Sequence, residues 1–275
     1  MAASRPDIPA IGLGTYRLTD EEECVASVRT ALEVGYRHVD TAEAYGNEEA
    51  VGRGIAAADV DREDIFLATK VLHPRFTEDD GYTREGIVEN VRACLDRLGV
   101  DRVDLLYGVH WPASGYDPET TFAACADVVD DGLADHIGVC NVTPALIDEA
   151  QAHSSVPIDA VQVEMHPLLP QAELRAYCED NDMAFVAYAP LGNGAVLDDP
   201  VISELAEAHG VSEARVSLAW VREKGAHAIP KASSRDHIVD NWASLELDLD
   251  AAAVQRIDEE VQEERQYDPD YAPDW

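Results

Sequence analysis

A chain of 275 residues accommodates one or two ordinary domains, or a single α/β barrel of ~250 residues. With 46% apolar, 27% charged and 7% aromatic residues it can bury a large core, which excludes disorder as its main state. Its 55 acidic against 20 basic residues leave a formal charge of −35, so nucleic-acid phosphates and anionic bilayers would be repelled and neither is an expected partner.

Only three lysines, Lys70, Lys224 and Lys231, stand beside seventeen arginines. An acidic, lysine-poor surface fits a protein from a halophile, where carboxylates hold water and cations and salt screens their mutual repulsion. The five cysteines, Cys24, Cys94, Cys125, Cys140 and Cys178, form no C-x-x-C pair and no short metal-ligand spacing, so a reduced, cytoplasmic protein without a metal is expected. No signal-peptide pattern opens the chain and no uncharged run approaches ~18 residues, so no membrane association is expected either.

In chain order, a first strand candidate IGLGTYRL (11–18) precedes a helical segment 20–35, with Asp20 as its cap and Gly35 at its end. Seven more strand candidates follow at 37–42, 64–71, 103–110, 136–141, 159–165, 184–190 and 227–231. Between them lie amphipathic segments at 84–99, 118–133, 171–181 and 212–225. Eight apolar strands alternating with helices predict an α/β fold, a (β/α)8 TIM barrel, with a doubly wound open sheet as runner-up. Two further helices are expected at 233–247 and 250–264, then a tail, 266–275, that is no regular element and either drapes over the barrel or stays loose. The whole chain, 1–275, reads as one domain.

Active sites of such barrels lie at the C-terminal ends of the strands. There the sequence places Asp40 and, just beyond it, Tyr45 after strand two, Lys70 at the end of strand three and His110 at the end of strand four. A tyrosine near a lysine that is paired with a carboxylate is a proton-transfer device: the ammonium is expected to lower the phenol pKa, Asp40 to hold the lysine charged, and His110 to donate a hydrogen bond. Such a site protonates an oxygen that becomes negative during reaction. A Schiff-base lysine chemistry is disfavoured, because Lys70 salt-bridged to Asp40 is charged and poorly nucleophilic.

The motifs GLGTY (12–16), GYRHVDTAEAYGNEEAVG (35–52), LATK (67–70), VHWP (109–112), GVCN (138–141), VQVEMHP (161–167), YAPLG (188–192) and IPKASS (229–234) resemble, in this order, the aldo-keto reductase family. Among its members the chain resembles shorter prokaryotic ones such as the diketogluconate and glyoxal reductases. The resemblance implies reduction of aldehydes or ketones by hydride from a nicotinamide cofactor, with Tyr45 as general acid, Lys70 and Asp40 tuning it and His110 orienting the carbonyl. It also implies that Asn141 and Gln162, next to Cys140, hold the carboxamide, and that Tyr188 stacks on the nicotinamide. Gly14, Thr15, Asp40 and Leu191 would border the cofactor, while Lys231, Ser233 and His237 grip the adenosine phosphates and Asn241 contacts adenine. Tyr16 and Trp111 would wall the substrate pocket.

Three departures stand out against many relatives: Cys140 for Ser, Tyr16 for Trp, and His237 for Arg. A histidine offers a 2′-phosphate one bond where arginine offers two, so NADPH is expected with NADH as a usable second cofactor. Gly12 and Gly14 lack the third glycine of a Rossmann phosphate loop. A nicotinamide-binding redox-sensing or regulatory subunit with little turnover is the alternative function. The expected partner is a small carbonyl substrate and the expected state a monomer, with specificity in the stretches 73–86, 113–117 and the tail.

Overall fold

In the computed structural model, which describes residues 5–73, 83–113 and 115–275, eight parallel strands pair in chain order. They are β1 Leu13–Gly14, β2 His38–Asp40, β3 Phe66–Lys70, β4 Val103–Val109, β5 Ala134–Cys140, β6 Ala160–Glu164, β7 Ala184–Tyr188 and β8 His227–Ala228. The last strand returns to the first: Gly12 N–H donates to the Ala228 carbonyl at 2.8 Å, and Ala228 N–H to the Ala10 carbonyl at 3.0 Å, closing the sheet into a (β/α)8 barrel. Of the stretches expected to carry specificity, residues 74–82 and 114 lie outside the described residues.

The helices are α1 Glu21–Val34, α2 Glu48–Ala56, α3 Arg84–Leu98, α4 Pro118–Asp130, α5 Pro144–His153, α6 Ala172–Asp180, α7 Pro200–His209, α8 Glu213–Glu223, α9 Arg235–Trp242 and α10 Ala251–Glu260. Helix α1 begins and ends as its sequence predicts. Asp20 accepts from the Glu23 N–H, and Gly35, at φ 132°, donates back to the Ala31 and Leu32 carbonyls. Helices α2, α5 and α7 were not expected from periodicity; α5 and α7 open on Thr143–Pro144 and Asp199–Pro200, a side-chain cap followed by a proline whose missing N–H costs nothing at a first turn.

Two apolar layers hold the barrel. Between strands and helices pack side chains such as Val39, Leu67, Phe122, Val161 and Trp220, all fully buried. Inside the barrel a smaller cluster, including Ala68, Leu105, Tyr107, Cys140, Ala184 and Val186, fills the lumen. The interior is therefore a packed plug, and ligands can reach only the polar ends of the strands.

Candidate active site

Each catalytic candidate is delivered by a separate element. Asp40 ends β2, Lys70 ends β3, His110 follows β4, and Tyr45 closes a single 3-10 turn, Glu43–Tyr45, just after β2. Asp40 and Lys70 are 1% exposed each. The Lys70 ammonium bonds Asp40 Oδ1 and donates to the Thr41 carbonyl at 2.8 Å, while Gln162 Nε2 donates to Asp40 Oδ2 at 2.8 Å. Both carboxylate oxygens and two of the three ammonium N–H groups are thus engaged, which offsets the cost of burying the pair. Burial pushes the Asp40 carboxyl up, and the Lys70 charge and these hydrogen bonds pull it back.

Lys70 Nζ lies 5.1 Å from the centre of the Tyr45 ring, and that ring stands 5.8 Å from His110 at an interplanar angle of 75°. Contrary to the expectation from sequence, the Tyr45 phenol is held well above its usual value: burial dominates and the Asp40 charge adds to it. A phenol so placed keeps its proton until a stronger base forms beside it. Burial, with the Lys70 and His73 charges adding, pushes the His110 imidazole well below its usual range, so it is a neutral ring. Its Nδ1 is buried and has no hydrogen-bond partner among the described residues.

These groups open on a cavity of about 770 Å3 bordered by Gly14, Tyr16, Asp40, Tyr45, His110, Trp111, Asn141, Gln162, Tyr188, Leu191 and Lys231. A Cβ at Gly14 would stand 2.6 Å from the Ile229 carbonyl oxygen, so only glycine lets this wall approach the end of β8. Tyr188 Oη donates to Asn141 Oδ1 at 2.8 Å, and Asn141 Nδ2 to the His110 carbonyl at 2.9 Å, which fixes the ring at the cavity floor. Arg17, Leu72, Asn141 and Ala189 have φ of 64°, 60°, 55° and 46° and follow β1, β3, β5 and β7 respectively. Left-handed backbone at non-glycine residues is strained, and here it recurs at the loops of one rim.

The other candidates stand further off. Thr15 is buried and its hydroxyl donates to the Asp40 carbonyl at 3.1 Å, supporting the rim from below. Cys140 belongs to the lumen cluster beneath the cavity, and burial pushes its thiol well up. Ser233 lies between Lys231 and α9. His237 is exposed in the first turn of that helix, where its N–H is capped by Ser234 Oγ at 3.2 Å, and Asn241 is buried further along it. Sequence reasoning missed Arg17 and Asn193, which also border the cavity, whereas His73, Tyr267 and Tyr271, which border it too, fall within the stretches expected to carry specificity. The tail's three aromatic residues were the available signal. It drapes over the barrel, with Tyr271 5.5 Å and Trp275 6.5 Å from the Trp111 ring centre.

The cavity has the features a dinucleotide and a small carbonyl compound need: a flat ring fixed at the floor, amide side chains beside it, one lysine at the far end, and a protonated phenol beside a neutral imidazole. Among the described residues no group of three metal-ligating side chains occurs and no helix is long and apolar enough to cross a membrane.

Comparison with known proteins agrees with this geometry. Residues 10–262 match the Aldo/keto reductase family. A glyoxal reductase of Bacillus subtilis is 35% identical over 260 residues, 94% of this chain and 91% of that protein. A crystal structure of a putative 2,5-diketo-D-gluconic acid reductase B superposes with a TM-score of 0.91 at 32% identity, covering 100% of this chain and 96% of that one. An aldo-keto reductase of Bombyx mori, crystallised in complex with NADP, superposes at 0.87 with 28% identity, over 99% of this chain and 100% of that one.

Proposed function

The chain belongs to the aldo/keto reductase family and is an NADP-dependent carbonyl reductase, and from that premise we propose how its own residues divide the work. Bound NADPH supplies the hydride. Tyr188 would form the platform under the nicotinamide, Asn141 and Gln162 would face its carboxamide, and Lys231 and Ser233, with His237 and Asn241 on α9, would hold the adenosine end. Gly14 and Leu191 border the path between. Tyr16 and Trp111 wall the substrate, and His110 donates a hydrogen bond that orients its carbonyl.

As negative charge grows on the carbonyl oxygen, Tyr45 releases its proton to it. The single observation that carries this assignment is the Tyr45 phenol facing the cavity between His110 and the Lys70–Asp40 pair. An alkoxide-like oxygen is a far stronger base than a phenolate, so a raised phenol pKa does not hinder the transfer, and Lys70 stabilises the phenolate left behind. Asp40 acts through Lys70, fixing its ammonium.

Small aldehydes and keto-sugars are the substrate class that fits an aromatic cavity largely filled by a dinucleotide. The names of the glyoxal and diketogluconate relatives point the same way. The net charge of −35 supports work at high salt, and cysteines that are all free and buried support a reducing cytoplasm. A monomer is supported by the small number of exposed large apolar side chains among the described residues, several of which border the cavity. The test is NADPH oxidation by the purified protein with glyoxal-type aldehydes and keto-sugars in molar KCl and in dilute buffer. Turnover with such carbonyls is expected, as is a melting temperature that rises with salt as the screening length falls from ~30 to ~3 Å. Absence of turnover with every carbonyl at both salts would overturn the reading.

A further inference from the structure

Glu164, the last residue of β6, is 0% exposed and takes no part in the chemistry above. A buried carboxylate is tolerated only when hydrogen bonds saturate it, and here they come from the far end of the chain. The Gln266 N–H donates to Oε1 at 2.7 Å and the Tyr267 N–H to Oε2 at 2.9 Å, while His166 Nε2 lies 2.8 Å from Oε1. Just upstream, the Glu264 N–H donates to the Leu168 carbonyl at 2.7 Å. Two consecutive backbone donors on one carboxylate tie the tail to the end of β6 at this point.

From this anchor Tyr267 reaches over the cavity. Its ring lies 5.5 Å from that of Tyr188 and 6.4 Å from that of Tyr16, and its hydroxyl donates to Asn193 Oδ1 at 3.0 Å in the loop after β7. The tail then hooks back on itself: Trp275 Nε1 donates to Asp268 Oδ1 at 3.0 Å, and the Arg265 guanidinium stands 4.0 Å over the Trp275 ring. One side chain thus joins the loop after β1 to the loop after β7 across the cleft.

We propose that Glu164 is a positioning residue that holds residues 264–275 as a strap over the cofactor cleft, so that Tyr267 slows cofactor release. This rests on the cofactor reading above. Glu164→Gln keeps the shape but turns one acceptor oxygen into an amide donor facing a donor. Hydrogen exchange at the Gln266 and Tyr267 amides, measured without cofactor, is expected to speed up at least ~tenfold. The NADPH dissociation rate constant, by stopped-flow fluorescence, is expected to rise ~tenfold, with the single-turnover hydride-transfer rate changed less than ~twofold.

Tyr267→Ala should release cofactor as fast. The double variant should release it no faster than Tyr267→Ala alone, because both changes act through one strap. Where Glu164→Gln does not fold, Gln266→Pro removes one donor from the tail side and should show the same release. Unchanged exchange at the two amides, or release rates whose increases multiply in the double variant, overturn the proposal. Failure of the wild type to oxidise NADPH sinks the functional reading instead, and the exchange experiment still decides the strap.

Discussion

His110 and His38 are both buried imidazoles, at opposite ends of the barrel. At the rim, His110 stands beside Tyr45 with the cavity next to it. At the base, His38 opens β2, packs edge-on to Phe66 at 5.4 Å, and has neither ring nitrogen hydrogen-bonded among the described residues. Burial lowers both, His38 to about 3 with the charges of His227 and Lys70 adding. The base holds a second histidine, His136, whose Nδ1 meets Asp159 at 2.7 Å; that hydrogen bond, the largest influence, raises its pKa. A perturbed imidazole therefore marks a site only where a cavity and a proton-bearing partner stand beside it. The same physics at the base serves packing alone.

The strongest way to break this contrast is at the rim. Tyr45→Phe removes the proposed proton and should lower kcat ~10²–10⁴-fold with NADPH affinity nearly unchanged, as steady-state rates and a fluorescence titration would show. Retention of more than about a tenth of the turnover would take Tyr45 out of the reaction. Lys70→Met leaves Asp40 buried without its cation. Activity should collapse, and urea unfolding should reveal a loss of ~3–5 kcal/mol, since one half of a buried pair is left uncompensated.

Further from the chemistry, His237→Arg should tighten NADPH relative to NADH by roughly tenfold or more, through a charge-assisted bond of ~1.5–3 kcal/mol. Lys231→Met should weaken NADPH selectively, and both ratios are to be compared at one salt concentration. The smallest effect on catalysis is expected at the base. The folded-state pKa of His38 is depressed, so the unfolded chain takes up the proton first as pH falls. Its contribution is fully present above the ordinary histidine value of 6.5 and is lost progressively as pH drops toward about 3. His38→Leu removes that titration, so its stability should fall less steeply over this window while kcat stays as in the wild type. An equally steep acid limb in the variant would place the titration elsewhere.

Much of this was legible in the sequence, because the strands are apolar runs and the residues that end them are ionisable. Asp40, Lys70 and His110 could be placed from the alternation alone, and Asp20 and Gly35 bounded α1 to the residue. What burial does to Tyr45 was not legible: the lysine is visible in the motif, but the packing that outweighs it is not. Glu164 lies in plain view within VQVEMHP as an acid closing an apolar strand. Besides His166 in the same motif, however, its partners are backbone groups 102 and 103 residues away, which have no sequence signature at all. Helices α5 and α7 went unexpected although their cap-and-proline starts stand in the sequence; the apolar period of α5 is weak, whereas that of α7 is as clear as that of α3.

The barrel's closing seam has a consequence for how the molecule opens. Strands β1 and β8 are two residues long each, and a few backbone bonds, including Gly14 N–H to the Pro230 carbonyl at 3.1 Å, join them. Gly14 and Lys231, on opposite sides of that seam, both border the cofactor cavity. A dinucleotide lying across them would be a clasp on a short join of the ring. Saturating NADPH at about a hundred times its Kd should stabilise the fold by ~2.7 kcal/mol through mass action, and the amides that slow most in hydrogen exchange should be those of Gly12, Gly14 and Ala228.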